Sequence, residues 1–435
     1  MEAEFWARHL KNTFDSYELC FIRERDKKYE AADGQLLGIE LKEEEGISLR
    51  GIKDGKMAFS YTYERGEKAA SALVENAKLL MPFLEKDPFY ALPGAYDRYP
   101  DLDLYDRKGL SVEDDIKISA LVEMESIIRT FDKRITTTRN CELHESELNV
   151  RIINSVGLEA RAEKTVYALG AMAVAAEHGE EVSWYDWSWN SKYGDLDGQS
   201  LGKRVAEKTV SFLAGQVLDT GTYSGLLTPG AACQILEILA SSFLSENLYK
   251  NKTRLKDKTG MKCFSDLLSI IDSGSRGMGA FAFDGEGMPS RENVLVRQGV
   301  FEGFLYDTYY GNRLKAASTG NSVRSGIKDP PRCGTRGFFI ENGRDGNAIE
   351  GFDKGLVIEE LMGTHTANAV TGDFSVGAIG HLLSGGSKTP FKGIILSGNL
   401  FDILMNVKAM GNDLTFYGSY GAPTLMIEGL KISGK

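Results

Sequence analysis

The chain has 435 residues, with 51 Lys or Arg against 62 Asp or Glu, so its net charge is −11. Nucleic-acid binding relies on clustered basic residues that neutralise phosphates, so this balance argues against DNA or RNA as a direct partner. No apolar run reaches the roughly 18 residues of a membrane-spanning helix, and residues 1–8 do not resemble a signal peptide. The five cysteines include no CxxC pair and are expected to be reduced thiols. We therefore expect a cytoplasmic protein that does not contact membranes.

Glycine is distributed unevenly along the chain. The first 273 residues contain 19 glycines and the last 162 contain 29. Only 10 prolines occur in the whole chain, which excludes a collagen-like repeat, and apolar residues run through the glycine-rich part, which argues against a disordered tail. The C-terminal part is therefore predicted to be a folded, turn-rich domain of short strands.

The N-terminal part alternates between strand-like and helical patterns. The strand-like runs cover 17–23, 35–41, 47–52 and 57–63, and turn signals at Asp33-Gly34, Glu45-Gly46 and Asp54-Gly55 separate them. A helix is predicted over 67–85 from the apolar spacing of Ala70, Leu73 and Ala77.

The central part repeats this alternation in the opposite order. Ser111 is predicted to cap a helix, with an acidic residue three positions later. The following strand-like runs cover 135–138, 147–154, 157–162 and 166–175, and helices are predicted at 200–214 and 229–246. One more helix is expected after Asn399, between short strands.

These patterns predict an α+β fold. Its N-terminal part consists of antiparallel meanders and helices, and its C-terminal domain is glycine-rich and mostly β. We place the domains at 1–110, 111–220 and 221–435, with the middle segment also α+β.

The scarce histidines offer one candidate for catalysis. His365, Asp373 and His381 lie within 17 residues, and two histidines with an aspartate could bind a metal or act as an acid–base pair. Their spacings of eight and eight residues match no standard ligand pattern, so the three side chains could equally occupy neighbouring turns.

A second candidate is acidic. Asp272, Asp284 and Glu286 flank a glycine-rich run, and carboxylates at i and i+2 can bind a cation. Asp and Glu are also common turn residues, and that simpler interpretation stays open.

A third candidate is aromatic. The segment 184–189 contains Trp184, Trp187 and Trp189, three of the four tryptophans of the chain. Such a cluster can bind a ligand or partner, or can anchor a β-hairpin in the core.

Several motifs, in order along the chain, resemble one known family. The N-terminal half contains Asp101-Leu-Asp-Leu-Tyr105, Asp132-Lys-Arg-Ile135 and Asn154-Ser-Val-Gly157. The C-terminal half contains Gly277-Met-Gly-Ala-Phe-Ala-Phe-Asp-Gly-Glu-Gly287, Ser318-Thr-Gly-Asn321, Val370-Thr-Gly-Asp-Phe-Ser375, Gly398-Asn-Leu400 and Gly411-Asn-Asp413. On these motifs the chain resembles the TldD/PmbA family, whose members are often labelled modulators of DNA gyrase. The resemblance covers nearly the whole chain.

The family comprises two kinds of subunit, and the resemblance sorts this chain between them. TldD-type chains carry a zinc site, an HExxxH helix plus a cysteine near the C-terminus, and PmbA-type or TldE-type chains lack it. The helix should follow Pro229-Gly230, which places the histidine positions on Gln234 and Leu239 and the glutamate position on Ile235. The cysteine-bearing loop corresponds to 414–422, which contains no cysteine. The resemblance therefore implies a PmbA/TldE-type subunit.

That assignment implies a function shared with a partner. It implies no metal and no cofactor in this chain, zinc in a TldD-type partner, and proteolysis of extended, unfolded or leader peptides by the complex, as in peptide maturation or antitoxin degradation. Any effect on gyrase would be indirect. Two alternatives stay open: an independent hydrolase that uses His365, Asp373 and His381, and a non-enzymatic, peptide-binding homodimer.

Overall fold

The computed structural model describes Trp6, Leu10 and residues 12–344 and 349–435. Its N-terminal part is built on one six-stranded antiparallel sheet in the order β3-β2-β1-β4-β5-β6. The strands are β1 (Ser16–Ala32), β2 (Gln35–Lys53), β3 (Lys56–Thr62), β4 (Ile135–Asn154), β5 (Glu159–Glu177) and β6 (Glu180–Asn190). The sheet contains strands from both sides of residue 110, since β1, which precedes that residue, pairs with β4, which follows it.

The strands are longer than local turn signals predict. Turns form at Asp33-Gly34 and Asp54-Gly55, where all four residues have positive φ, as two-residue hairpins require. The turn expected at Glu45-Gly46 is wrong, because β2 continues through these residues and pairs them with Arg23 and Ile22 of β1. Pairing along a long neighbouring strand outweighs a weak local turn preference.

Helices cover one face of this sheet. They are α1 (Glu67–Leu80), α2 (Arg107–Leu110), α3 (Asp114–Phe131) and α4 (Gly198–Ser211). Side chains alternate between the two faces along β1. Leu19 and Tyr29 lie on the helix-covered face, where Leu19 packs with α1 and Tyr29 packs with α3 and α4. Cys20 lies on the opposite face, where it packs with Phe283. Ser111 does not cap α3 as expected, because its hydroxyl donates to the carbonyl of Arg107, the first residue of α2, and Glu113 holds the cap position of α3.

The C-terminal part contains two further six-stranded sheets and a two-stranded one. Their strands are β7 (Gly221–Leu227), β8 (Ile270–Ser273), β9 (Glu292–Arg297), β10 (Val300–Phe301), β11 (Ser322–Val323), β12 (Arg332–Cys333), β13 (Phe338–Ile340), β14 (Lys354–Met362), β15 (Asp373–Ser384), β16 (Ser387–Asn399), β17 (Val407–Met410), β18 (Thr415–Tyr417), β19 (Tyr420–Ala422) and β20 (Leu425–Ser433). The helices are α5 (Pro229–Ala240), α6 (Ser245–Tyr249), α7 (Thr308–Leu314) and α8 (Leu400–Met405). The predicted α+β fold is confirmed.

One sheet closes on itself and surrounds the largest core. Its order is β16-β15-β14-β7-β20-β17, and β16 also pairs with β20, which gives a barrel-like ring. The other large sheet has the order β10-β9-β8-β13-β19-β18. Helix α5 packs in the core that these two sheets share, with Leu236 and Leu239 completely buried. The predicted cap of α8 is confirmed, since the Asn399 side chain accepts from the Phe401 amide.

A buried ion-pair network joins the C-terminal part to the sheet face opposite the helices. Arg50 of β2 donates to Glu18 of β1 and, at 2.9 Å, to Glu286 of the C-terminal part. Arg324 also donates to Glu18. Because these side chains are at most about 6% exposed, their mutual pairing is what makes burial of the charges tolerable.

Candidate functional site

A cavity of about 840 Å³ lies where the first sheet meets the C-terminal part. We call it the α5 cavity, because the exposed face of α5 forms its floor. Its walls come from β6, α4, the start of α5, β14 and the β18–β19 hairpin. The residues that line it are Trp184, Tyr185, Asp186, Trp187, Arg204, Lys208, Thr228, Pro229, Gly230, Cys233, Gln234, Glu237, Met278, Glu359, Glu360, Asp413, Tyr417, Gly418, Ser419, Tyr420 and Thr424.

The α5 helix presents a single face to this cavity. Gly230, Cys233, Gln234 and Glu237 line it at positions i, i+3, i+4 and i+7, the spacing of one helical face. Of the three positions that the resemblance assigns to a zinc motif, only Gln234 reaches the cavity. Ile235 and Leu239 are 1% and 0% exposed and belong to the core.

Gln234 is fully engaged by the backbone of β14. Its Nε2 donates to the Leu361 carbonyl at 3.0 Å, and its Oε1 accepts from the Leu361 amide at 2.8 Å. A carboxamide is suited to this task because it carries a donor and an acceptor side by side. Gln234 therefore ties α5 to β14.

The segment that the resemblance equates with the metal-binding loop lies beside α5. It forms the β18–β19 hairpin around Gly418, whose φ of 63° favours glycine. The Cys233 thiol, on α5, lies 3.4 Å from the Tyr420 carbonyl of this hairpin. Helix and loop therefore meet at the same cavity, although residues 414–422 contribute no cysteine.

The donor set at this cavity does not fit zinc. Zinc sites in proteins use thiolates, neutral imidazoles and carboxylates, usually four ligands around the ion. Burial raises the pKa of Cys233 to about 12, so its thiol stays protonated at neutral pH. Gln234 is occupied by Leu361, and no histidine of the described residues lines the cavity. Within the described ranges no group of three or more His, Cys, Asp and Glu side chains is placed to hold a metal.

A charged cluster supports the cavity wall. Glu359 pairs with Lys208 and, at 3.5 Å, with Nδ1 of His381. Burial opposes the charge of Glu359, but His381 and Lys208 outweigh it and hold its pKa below the ordinary value. The His381 ring is buried and stacks on Phe212, which in turn contacts the Trp184 ring. His381 thus supports Glu359 from beneath the cavity.

The three residues proposed as a catalytic group do not come together. Asp373 and His381 lie on the same strand, β15, and eight residues of strand separate them by about 26 Å at roughly 3.3 Å per residue. His365 is exposed on a short helical turn, and Asp373 accepts a hydrogen bond from Nδ2 of the Asn399 side chain at 2.8 Å. No shared site can form across that distance, because ligands of one ion lie near 2 Å from it.

The three acidic residues are buried in the C-terminal part, and Glu286 among them pairs with the first sheet. Asp272 accepts from the Arg336 amide and the Asn321 side chain, Asp284 accepts from backbone amides, and Glu286 pairs with Arg50. These donors occupy the carboxylates, so the residues act within the structure and are not arranged around a cation.

The tryptophan segment has a mixed role. Trp184 and Trp187 of β6 line the α5 cavity, whereas Trp189 does not. The Trp187 ring lies 3.8 Å from the position that a Cβ on Gly418 would take. The signal that could have revealed the cavity face of α5 was the pair of polar residues Gln234 and Glu237, opposite the apolar stripe of the same helix.

Models of one known protein family match three successive segments of the chain. The description "PmbA/TldA metallopeptidase" applies to three matching models: domain 1 over residues 17–79, the central domain over 107–213 and the C-terminal domain over 220–434. The chain belongs to the TldD/PmbA family. The family resemblance inferred from the motifs is confirmed.

Individual members of the TldD/PmbA family are distant in sequence. Metalloprotease PmbA of Escherichia coli O157:H7 is 24% identical over 411 residues, which cover 92% of this chain and 88% of the relative. A metalloprotease TldD homolog of Haemophilus influenzae is 21% identical and covers 73% of this chain and 68% of its own length. The crystal structure of TldE from Thermococcus kodakarensis superposes with a TM-score of 0.90 at 22% identity, covering 99% of both chains, and shows that the fold is shared.

Among the helices of the described residues, none is both long and apolar enough to cross a bilayer.

Proposed function

We propose that this chain is the PmbA/TldE-type, non-catalytic subunit of a two-subunit zinc peptidase. A TldD-type partner supplies the zinc site, and this chain supplies a wall of the chamber in which an extended, unfolded or leader peptide is bound and cleaved. Zinc would belong to the partner alone. The complex would act in peptide maturation or antitoxin degradation, and any effect on gyrase would follow from proteolysis.

One observation carries this proposal. The α5 helix occupies the place where the resemblance puts a metal-binding helix. Both polar atoms of the Gln234 side chain, however, are hydrogen-bonded to the backbone of Leu361. A helix that binds zinc must present free nitrogen, sulfur or carboxylate donors. The names of the relatives distinguish PmbA chains from TldD chains, which supports the existence of two kinds of subunit.

The α5 cavity has the chemistry of a peptide site. Trp184, Trp187 and Tyr417 offer flat apolar surface, and Glu237 and Glu360 offer acceptors for backbone or basic groups.

All five cysteines are unpaired in the structure, which supports a reducing, cytoplasmic location.

The test is reconstitution with a TldD-type subunit from the same host. We expect the complex to contain zinc and to cleave an unfolded peptide, and this chain alone to do neither. In the complex, Trp187→Ala should lower kcat/KM for the peptide and leave the zinc content unchanged.

Trp189→Ala is the matched control, because Trp189 lies on the same strand outside the cavity. Stoichiometric zinc together with peptidase activity in this chain alone would refute the proposal. So would a stable pairing of this chain only with itself in the presence of the TldD-type subunit.

A further inference from the structure

A second cavity lies between the first sheet and the C-terminal part, beside the α5 cavity. Its volume is about 390 Å³, and we call it the junction cavity. Met278 and Ser419 line both cavities, so the two adjoin at these residues. A chain that occupies the α5 cavity could therefore continue into the junction cavity.

The junction cavity contains an ammonium group without a counter-charge. The Lys164 side chain is 6% exposed, and its Nζ donates to the Met278 carbonyl and, at 3.0 Å, to the Ala280 carbonyl. Both acceptors are neutral. An ammonium has three N–H donors, and the third finds no acceptor among the described residues.

A guanidinium group in the same lining is also held only by neutral oxygens. The Arg336 side chain donates to the Ser290 hydroxyl at 3.0 Å and to the Phe281 carbonyl at 3.1 Å. Burial and the charge of Arg336 lower the pKa of Lys164 to about 8. Asp272 and Asp284 act electrostatically on Arg336, whereas Lys164 hydrogen-bonds only to carbonyl oxygens. A buried ammonium without a carboxylate partner is costly, and a bound anion would offset that cost.

Further donors in the lining are unsatisfied. The Nη1 of Arg324 and the Oγ of Ser322 are buried without a hydrogen-bond partner in the described part of the chain. The carboxylates in the lining are Asp284 and Glu24. The oxygens of Asp284 already accept from backbone amides, among them that of Ser322 at 3.0 Å, and Glu24 also lines a neighbouring cavity. Neither carboxylate hydrogen-bonds to Lys164.

We propose that the junction cavity binds a carboxylate group through Lys164, Arg324 and Ser322, and that its source is the free C-terminus of the peptide in the α5 cavity. A carboxylate accepts several hydrogen bonds and carries the missing negative charge, and capture of peptide termini by convergent donors is a known mode of recognition. The peptide source rests on the proposed function, whereas the carboxylate site does not.

The test compares peptides that differ only at the C-terminus. An N-terminally labelled, unstructured peptide with a free acid and its C-terminal amide are titrated by fluorescence anisotropy into the full chain at neutral pH. We expect the acid to bind about tenfold more tightly, the effect of one good charge-assisted contact. Lys164→Met should abolish the difference, and Lys262→Met, at an exposed lysine, should preserve it.

A second measurement separates this site from peptide binding. The thermal unfolding of the chain is recorded in sodium acetate and in sodium chloride at matched ionic strength. If acetate stabilises the native chain but not Lys164→Met, the carboxylate site is supported even if neither peptide binds, and only the peptide C-terminus as its source is refuted. Equal binding of acid and amide with no acetate effect, or an acid preference that survives Lys164→Met, overturns the inference.

Discussion

The buried carboxylate of Asp307 makes a sharp prediction about stability. Asp307 caps α7, where its side chain accepts from the Tyr310 amide at 2.8 Å, and it is 5% exposed. Burial, together with the nearby charge of Glu286, raises the pKa of Asp307 from 3.8 to about 7. The native state therefore holds a proton on this group over a pH range in which the unfolded chain has lost it.

The sign and size of the effect follow from that difference. Between pH 4 and pH 7 the native state binds more protons than the unfolded state, so the free energy of unfolding falls as the pH rises through this range. A difference of one bound proton changes the free energy of unfolding by about 1.4 kcal/mol per pH unit. Asp307 therefore lowers the free energy of unfolding by about 2–3 kcal/mol between pH 5 and pH 8. Asp307→Asn keeps a capping side chain and has no charge to bury.

The measurement is urea unfolding at pH 5 and pH 8, followed by tryptophan fluorescence and far-UV circular dichroism. Relative to the native chain, Asp307→Asn should lose about 2–3 kcal/mol less stability on going from pH 5 to pH 8. Asp402→Asn, at an exposed position on α8, should follow the native chain. An unchanged pH dependence in Asp307→Asn would show that this carboxylate is already ionised at little cost, and the reasoning would fail.

Two further predictions concern contacts that hold the elements around the site. Arg50→Met should lower the free energy of unfolding, measured in urea, by about 3–5 kcal/mol, because it leaves buried carboxylates unpaired. Arg23→Met removes an exposed ion pair and should lower it by less than about 1 kcal/mol. Similar losses in the two variants would refute this distinction. Gln234→Ala should lower the free energy of unfolding by about 1–3 kcal/mol and increase hydrogen exchange at the Leu361 amide. Glu237→Ala, on the same helix face, should leave that amide protected. Unchanged exchange in Gln234→Ala would contradict the assigned contact.

Local pattern predicted the types of element more successfully than their extent. The Asp33-Gly34 and Asp54-Gly55 turns and the cap at Asn399 were recognisable because each depends on a few neighbouring residues. The Glu45-Gly46 turn failed because β2 gains its hydrogen bonds from β1, more than twenty residues away in the chain. The cap predicted at Ser111 failed because its hydroxyl bonds backward to α2.

At the candidate site, too, the sequence indicated which segments matter but not how their side chains are arranged. The motifs identified the family, and they located α5 and the 414–422 segment as places of interest. They did not reveal which side chains of α5 face outward, and two of the three predicted positions, Ile235 and Leu239, are in the core. Proximity in sequence suggested a group of His365, Asp373 and His381, but strand β15 holds Asp373 and His381 apart.

The sequence by itself therefore determined the α+β composition, the glycine-rich C-terminal domain and the membership of the TldD/PmbA family, because composition, turns and ordered motifs are written in contiguous residues. Only the tertiary structure decided that α5 and the β18–β19 hairpin share one cavity, that Gln234 is bound by Leu361, and that Lys164 is buried beside Arg336 without a carboxylate partner. These features depend on residues from distant parts of the chain, and their energies arise only when folding removes the groups from water.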